Sequence, residues 1–254
     1  EGAYKSYYKS GKIETEVNYV NGKREGSYKI SYENGAVKEA GNYKDDKLIG
    51  DINLTYENNA KMATLHYTQD GKKTGKWIYL YPSGKVQQEF TYENDKPVGT
   101  YKKYYEDGKV AEEGKYENGL LQGEVKMYYA SGKLASKIPF ERNSKEGEAI
   151  SYFENGKEKE KGKFVHNKYE GTVKVFYDNG ETAIEQTYRN GKKEGAYKEF
   201  YKGNKPKVVA NYVKGKEEGD YTIYYENGQK QVLSKFKDGL AEGEWIYYYQ
   251  NGKE

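Results

Sequence analysis

The chain has 254 residues, with 43 basic and 40 acidic side chains for a formal charge of +3, 31 tyrosines, 30 glycines and no cysteine. Leu, Ile, Val and Phe make up only about one residue in six, too little aliphatic surface to order a conventional globule, while the near-balanced charge removes the self-repulsion that keeps disordered tracts open. The inventory also excludes disulfide frameworks, thiolate catalysis and Cys-ligated zinc, a membrane-spanning apolar run and a strongly basic nucleic-acid binder.

From the N-terminus onward the elements are copies of one unit. Glycines fall at Gly2, Gly26, Gly50, Gly75, Gly99, Gly123, Gly147, Gly171, Gly195, Gly219 and Gly243, a step of 24 residues with one of 25 between Gly50 and Gly75. Counting each of these as position 0, position +6 is aromatic in all eleven units, from Tyr8 to Tyr249, and +17 in all ten complete ones, from Tyr19 to Phe236. Position +9 is Gly in nine units and Asn59 or Asn204 in the others. The position four before each following glycine is also Gly, Asn or Asp, as in Gly22 and Asp46. These residue types reach positive φ at least cost, so each column predicts a turn, typified by Asn34-Gly35 and Asn21-Gly22. Two turns per unit, with Tyr-rich alternation between them, predict one β-hairpin per unit and leave no stretch long enough for a helix. The extra residue belongs in the turn between Tyr67 and Gly75, where an insertion costs little.

A two-residue turn at Asn34-Gly35 places +2 opposite +15, +6 opposite +11 and the +17 ring opposite glycine 0, where it would cover the strand glycine. The volumes agree: Tyr28 faces Gly41, Tyr101 Gly114, Tyr197 Ala210, Ile52 Leu65 and Val125 Ile138, with Trp77 opposite Phe90 as the bulky exception. Lys5 would face Glu16, Lys102 Glu113 and Lys174 Glu185, while Lys126 would face Lys137. Alternation puts +2, +4, +6, +11, +15 and +17 on one aromatic face. Lys, Glu, Asn and Thr occupy the other, with an aromatic at +5 in most units (Tyr7, Tyr104, Tyr128, Phe176, Tyr248). The expected fold is all-β, an elongated single-layer antiparallel meander of tandem hairpins. Residues 1–254 form one array of about eleven units, expected to be a fragment of a longer chain or to pair end to end with another copy.

The unit reads Gly-x-(Tyr/Trp)-x-x-Tyr-Tyr-x-x-Gly-Lys, then an aromatic and Asn-Gly-Lys-x-x-Gly, as at Gly99–Lys109 and Gly243–Lys253. Over its whole length this pattern resembles the MORN-repeat variant found in bacterial proteins often labelled YwqK-type antitoxins. The resemblance implies tandem hairpins and a non-enzymatic binding or scaffold role. The partner it implies is a protein, a toxin or a surface protein, and a bacterial secreted or cell-envelope location is favoured over the cytoplasm. It transfers no active-site residue, cofactor or metal.

Catalysis finds no support in the residues: His66 and His166 are four units apart, and the carboxylates interleave with lysine as on any solvated sheet face. No glycine turn precedes a helix, so no phosphate-cradling loop is expected, and specific nucleic-acid binding is not expected either. Lysines at +10 (Lys12, Lys85, Lys109, Lys133, Lys157) sit among glutamates and read as a solvated edge. The candidate binding surface is the aromatic ladder, richest at Trp77, Tyr79, Tyr81, Tyr101 and Tyr105, and again at Tyr221, Tyr225, Trp245, Tyr247 and Tyr249. Such rings could hold an extended peptide or, in the alternative reading of a surface protein, a glycan. Cross-strand packing accounts for most of the ladder, because its +6 and +17 rings recur in every unit.

Overall fold

The computed structural model describes residues 1–254, and every regular element in it is a β-strand. No helix is long and apolar enough to cross a membrane. The chain divides into two compact units, Glu1–Gln122 and Gly123–Glu254. Each is an open antiparallel meander in which every hairpin also pairs with the next. The first runs from strand Gly2–Tyr7 to Val110–Glu117 and Leu120–Leu121; the second runs from Gly123–Tyr128 to Leu240–Tyr247.

Within hairpins the inner register is the expected one. Tyr28 pairs with Gly41 and Gly26 with Tyr43, Tyr101 with Gly114, Trp77 with Phe90 and Val125 with Ile138. The expected charge pairs also form, including like-charged Lys126 opposite Lys137. The outer register differs. Position +11 pairs with +5, not +6, as in Ser31 with Val37 and Tyr128 with Leu134, across a bulge that adds one residue to the returning strand. The cause is the turn. The Tyr32 N–H donates to Ala36 O at 2.8 Å and Gly35 N–H to Tyr32 O at 2.9 Å, and of the loop residues only Gly35 has positive φ, 91°. This is a three-residue loop closed by a left-handed glycine, not a two-residue turn with both central residues left-handed. It also explains the Asn or Asp at +8, whose side chain accepts the +10 N–H: Asn34 from Ala36 at 2.8 Å, Asp107 from Lys109 at 2.9 Å and Asn227 from Gln229 at 3.0 Å.

The two-residue turn appears instead at the other end of the hairpins, with φ of 51° and 79° at Asn21 and Gly22. The extra residue of the Gly50 unit lies where expected. There Gly71 N–H donates to Thr68 O at 3.0 Å and Thr68 N–H to Lys72 O at 2.8 Å, so one inserted residue converts that turn to the three-residue form.

Glycine 0 has positive φ in all eleven units, from 66° at Gly50 to 110° at Gly2, and the pairing with the preceding strand shifts beside it, as between Val17–Tyr28 and Tyr19–Arg24. A Cβ added at Gly26 would meet nothing within 4 Å. Backbone conformation, not a covering ring, therefore demands glycine there. The +17 rings pack against +2 instead, Tyr43 on Tyr28 at 4.5 Å and Tyr92 on Trp77 at 4.6 Å between centroids. In the first unit the core is Val17, Tyr28, Ile52, Ala63, Leu65 and Trp77, from columns +2, +13 and +15, with the +17 rings Tyr19, Tyr43, Tyr67 and Tyr92 packed against it.

Side chains clasp each hairpin to the next. The +6 tyrosine hydroxyl donates to the +5 carbonyl one repeat on: Tyr8 to Ser31 O at 2.7 Å, Tyr81 to Tyr104 O at 2.7 Å and Tyr177 to Phe200 O at 2.6 Å. A glutamate at −1 accepts the first N–H of the following two-residue turn, as Glu25 does from Asp45 at 2.9 Å and Glu194 from Lys214 at 2.8 Å. Phe153 is the one +6 ring without a hydroxyl. Phe153→Tyr is therefore expected to add a clasp and stabilise the chain by about 1 kcal/mol, the net worth of one hydrogen bond, read as a raised urea midpoint. An unchanged or lowered midpoint contradicts the clasp.

Candidate functional site

The two aromatic sectors have different fates. In the first, Trp77 and Tyr101 are each only 4% exposed. The Trp77 ring lies between Tyr67 and Tyr92, at 5.5 and 4.6 Å, and its indole N–H donates to Thr74 O at 3.1 Å. The Tyr101 hydroxyl donates to Glu112 at 2.9 Å and that of Tyr81 to a backbone carbonyl. Tyr79 and Tyr105 are half-buried. Trp77, Tyr81 and Tyr101 are thus committed to packing or hydrogen bonds, while Tyr79 and Tyr105 keep partial exposure. Burial first, and then the neighbouring carboxylates, raise the Tyr28 and Tyr101 phenols above their ordinary value, so they remain donors through the alkaline range.

In the second sector Tyr221 and Tyr225 are half-buried, and the Tyr225 hydroxyl donates to Tyr248 O at 2.9 Å. Trp245, Tyr247 and Tyr249 are 41%, 62% and 70% exposed, on or just beyond a strand hydrogen-bonded on one side only. Trp245 stacks on Tyr247 at 6.3 Å and 27°. Tyr225, Tyr247 and Tyr249 line a cleft of about 410 Å³ with Gln231 and Val232. Three of the five residues of this sector, Tyr225, Tyr247 and Tyr249, thus share one cleft.

The opposite face holds clefts that the residue pattern did not reveal. In the first unit one of about 580 Å³ crosses the first hairpins and is lined by Ala3, Lys5, Glu16, Asn18, Ser27 and Asn42 among others. A second of about 480 Å³ follows at Asp51, Asn53, Thr64 and His66, and a third of about 280 Å³ at Lys76, Glu89, Thr100 and Lys102. Small and amide side chains make the floor, at positions +1, +3, +14 and +16, and the exposed Asn18, Ser27 and Asn42 side chains form no hydrogen bond within the chain. Alternating Lys and Ala, Ser or Asn at these columns was the available signal.

The charges around the first cleft are self-neutralised. Glu16 accepts from Lys5 at 2.8 Å and Lys29 at 2.9 Å, and these two hydrogen bonds lower its pKa from 4.5 to about 2. For a depressed carboxylate, the stabilising contribution is present above the unfolded value near 4.5 and is lost as pH falls through about 2. NMR titration is expected to show the Glu16 carboxyl with a midpoint well below 4.5; a midpoint at 4.5 would show that the bridge does not persist in solution.

The histidines hold single carboxylates, His66 Nδ1 with Asp51 at 2.6 Å and His166 Nδ1 with Glu146 at 2.7 Å, and no three His, Asp or Glu side chains form a metal-holding group. The +10 lysines reach along the turn edge: Lys133 donates to Glu154 O at 2.7 Å and Lys157 to Asn179 O at 2.6 Å.

Compared with known proteins, the chain matches the family described as MORN repeat variant at residues 1–21, 24–45, 73–94, 97–118, 121–142, 145–166, 169–190, 217–238 and 241–253. The two longest unmatched stretches contain Asn59 and Asn204, where +9 departs from glycine, yet both hold the same hairpin register. No curated protein matches.

Proposed function

This chain belongs to the MORN repeat variant family, and from that premise we propose that it is a non-enzymatic binding protein whose polar sheet face engages a macromolecular partner. Repeats of this family generally bind proteins or membrane lipids rather than catalyse reactions. The observation that carries the reading is the division between faces: most rings of the aromatic ladder are committed to packing or clasps, while the clefts of the first unit open on the polar face with unpaired Asn18, Ser27 and Asn42. In its narrower form the partner is a toxin that the chain neutralises.

The test is capture of a partner from cells carrying the native gene, followed by reconstitution from purified components. The expected result is a stable complex on size exclusion that Ser27→Trp with Asn42→Trp, which fills the first cleft, weakens by about tenfold, or about 1.4 kcal/mol. A complex unaffected by filling the cleft, or turnover of a substrate by the chain alone, overturns the reading.

A second reading is favoured by one feature, the exposed Trp245, Tyr247 and Tyr249 beside their cleft: a surface protein that binds glycan by stacking. It predicts a Trp245 fluorescence change on titration with a glycan panel or choline, and fails if none occurs.

A further inference from the structure

Cross-strand pairing in the second unit aligns one row of +3 and +14 residues across all its hairpins. Lys126 pairs with Lys137, Lys137 with Ile150, Ile150 with Lys161 and Lys161 with Lys174. The row continues through Glu185 to Lys198. It then changes character, passing to Val209, Thr222, Leu233 and Ile246. One end is thus basic and the other largely apolar.

The basic end is under-neutralised. Lys126, Lys161 and Lys174 meet Glu124, Glu148 and Glu185 at 3.7, 3.2 and 2.7 Å, exposed pairs that each contribute little and yield readily to a better partner. Lys137 and Lys198 form no ion pair, and Lys137 sits directly opposite Lys126. Lys137 thus faces a like charge with no counter-ion of its own, an arrangement that costs stability and that an anionic ligand relieves. The equivalent row of the first unit is different: Lys5 and Lys29 share Glu16, and Lys102 has Glu113.

A second row runs beside the first. Two residues along each strand, and so on the same face, position +5 is aromatic throughout this unit: Tyr128, Tyr152, Phe176, Phe200, Tyr224 and Tyr248. In the first unit the column reads Tyr7, Ser31, Thr55, Leu80, Tyr104. All six rings are half-buried, and the Tyr152, Tyr224 and Tyr248 hydroxyls make no hydrogen bond within the chain. They form a wall with free donors alongside the lysines.

We propose that this row is the docking strip for an extended segment of a partner protein that carries an acidic run followed by an apolar one. The inference rests on the macromolecular-binding reading above and specifies the partner's chemistry. Six strand spacings of about 4.8 Å separate Lys126 from Lys198, about 29 Å, which an extended chain at about 3.3 Å per residue spans with roughly nine residues. Four further spacings from Lys198 to Ile246, about 19 Å, take about six largely apolar residues. Nucleic acid fits less well: its unbroken phosphate charge would meet Glu124, Glu148 and Glu185, and it has no use for Val209, Leu233 and Ile246. A peptide with interspersed carboxylates and an apolar end matches both halves.

The test uses the full chain and a fluorescein-labelled peptide of about nine residues in which Glu and Asp alternate with Ser, followed by about six Leu, Val and Thr residues, the length set by the strip. Its scramble, a single-stranded oligothymidylate, and phosphatidylcholine vesicles with and without phosphatidylserine serve as competitors. Saturable, salt-sensitive anisotropy is expected, weakened at least about tenfold by Lys137→Glu, Lys161→Glu and Lys198→Glu together. Leu233→Ser is expected to remove the preference for the ordered peptide over its scramble. Thermal melts of each variant establish that the fold is kept, and the milder Lys137→Gln with Lys198→Gln provides a folded comparison. Several results overturn the proposal: no binding, equal binding of the scramble, unchanged affinity in the lysine variants, or lysine-dependent binding of the oligonucleotide or vesicles in place of the peptide. If the captured partner still binds the lysine variants, the acidic-segment proposal falls while macromolecular binding stands. If nothing binds the chain, both fall.

Discussion

Trp77→Ala is expected to destabilise the chain by about 3–5 kcal/mol, the range for removing a large buried aromatic. Trp245→Ala should cost well under half of that. Both tryptophans occupy position +2 of their units, so the repeat pattern treats them alike. The structure does not: Trp77 is 4% exposed, with rings on two sides, an indole hydrogen bond and the Lys73 ammonium 5.2 Å above its ring, whereas Trp245 is 41% exposed. Urea titration followed by circular dichroism reads the difference. Because repeat arrays are stabilised by neighbour contacts rather than one core, the loss at Trp77 should concentrate in amide exchange of strands Lys61–Tyr67 and Val86–Glu93. Equal costs at the two sites would contradict the assignment of Trp77 to packing.

The second large effect is at Gly41. A Cβ there would overlap Ile52 Cδ1 and lie 3.2 Å from Tyr28 Cε1, and Ile52 is only 1% exposed. Gly41→Ala is expected to cost about 1–3 kcal/mol by overpacking. The diagnostic lies in the double variant. Alone, Ile52→Val removes buried Cδ1 and costs about 0.5–1.5 kcal/mol. In the Gly41→Ala background the same change relieves the clash and should be neutral or stabilising, a coupling that a double-mutant cycle measures. Additive costs would show that the two residues do not share the space the structure gives them.

These residues also show how much was legible beforehand. The Tyr28–Gly41 and Trp77–Phe90 pairs followed from volumes and turn spacing alone, and the inserted residue was traced to the turn before Gly75 because turns absorb length cheaply. The outer register was not legible, since Asn-Gly is compatible with both a two-residue and a three-residue loop and only φ at Asn34 separates them. The left-handed conformation of glycine 0 was not legible either, because such a residue within a strand leaves no mark beyond glycine itself. The lysine row was hidden for a related reason. Lys126 and Lys137 are 11 residues apart, but Lys137 and Ile150 are 13, because pairing between hairpins is offset by the bulges. A single repeat step therefore does not reveal the row. The aromatic ladder was the visible feature because packing repeats it, and that packing buries Trp77 and Tyr101.

On the reading proposed above, the polar face and not the aromatic ladder meets the partner. Footprinting of the captured complex by mass spectrometry tests this most directly, combining lysine acylation with oxidation of Trp and Tyr. Protection is expected at Lys5 and Lys29, which line the first cleft, and at Lys137 and Lys198 on the strip, with unchanged oxidation at Trp245, Tyr247 and Tyr249. Protection of those three aromatic residues with the lysines still fully reactive would contradict it.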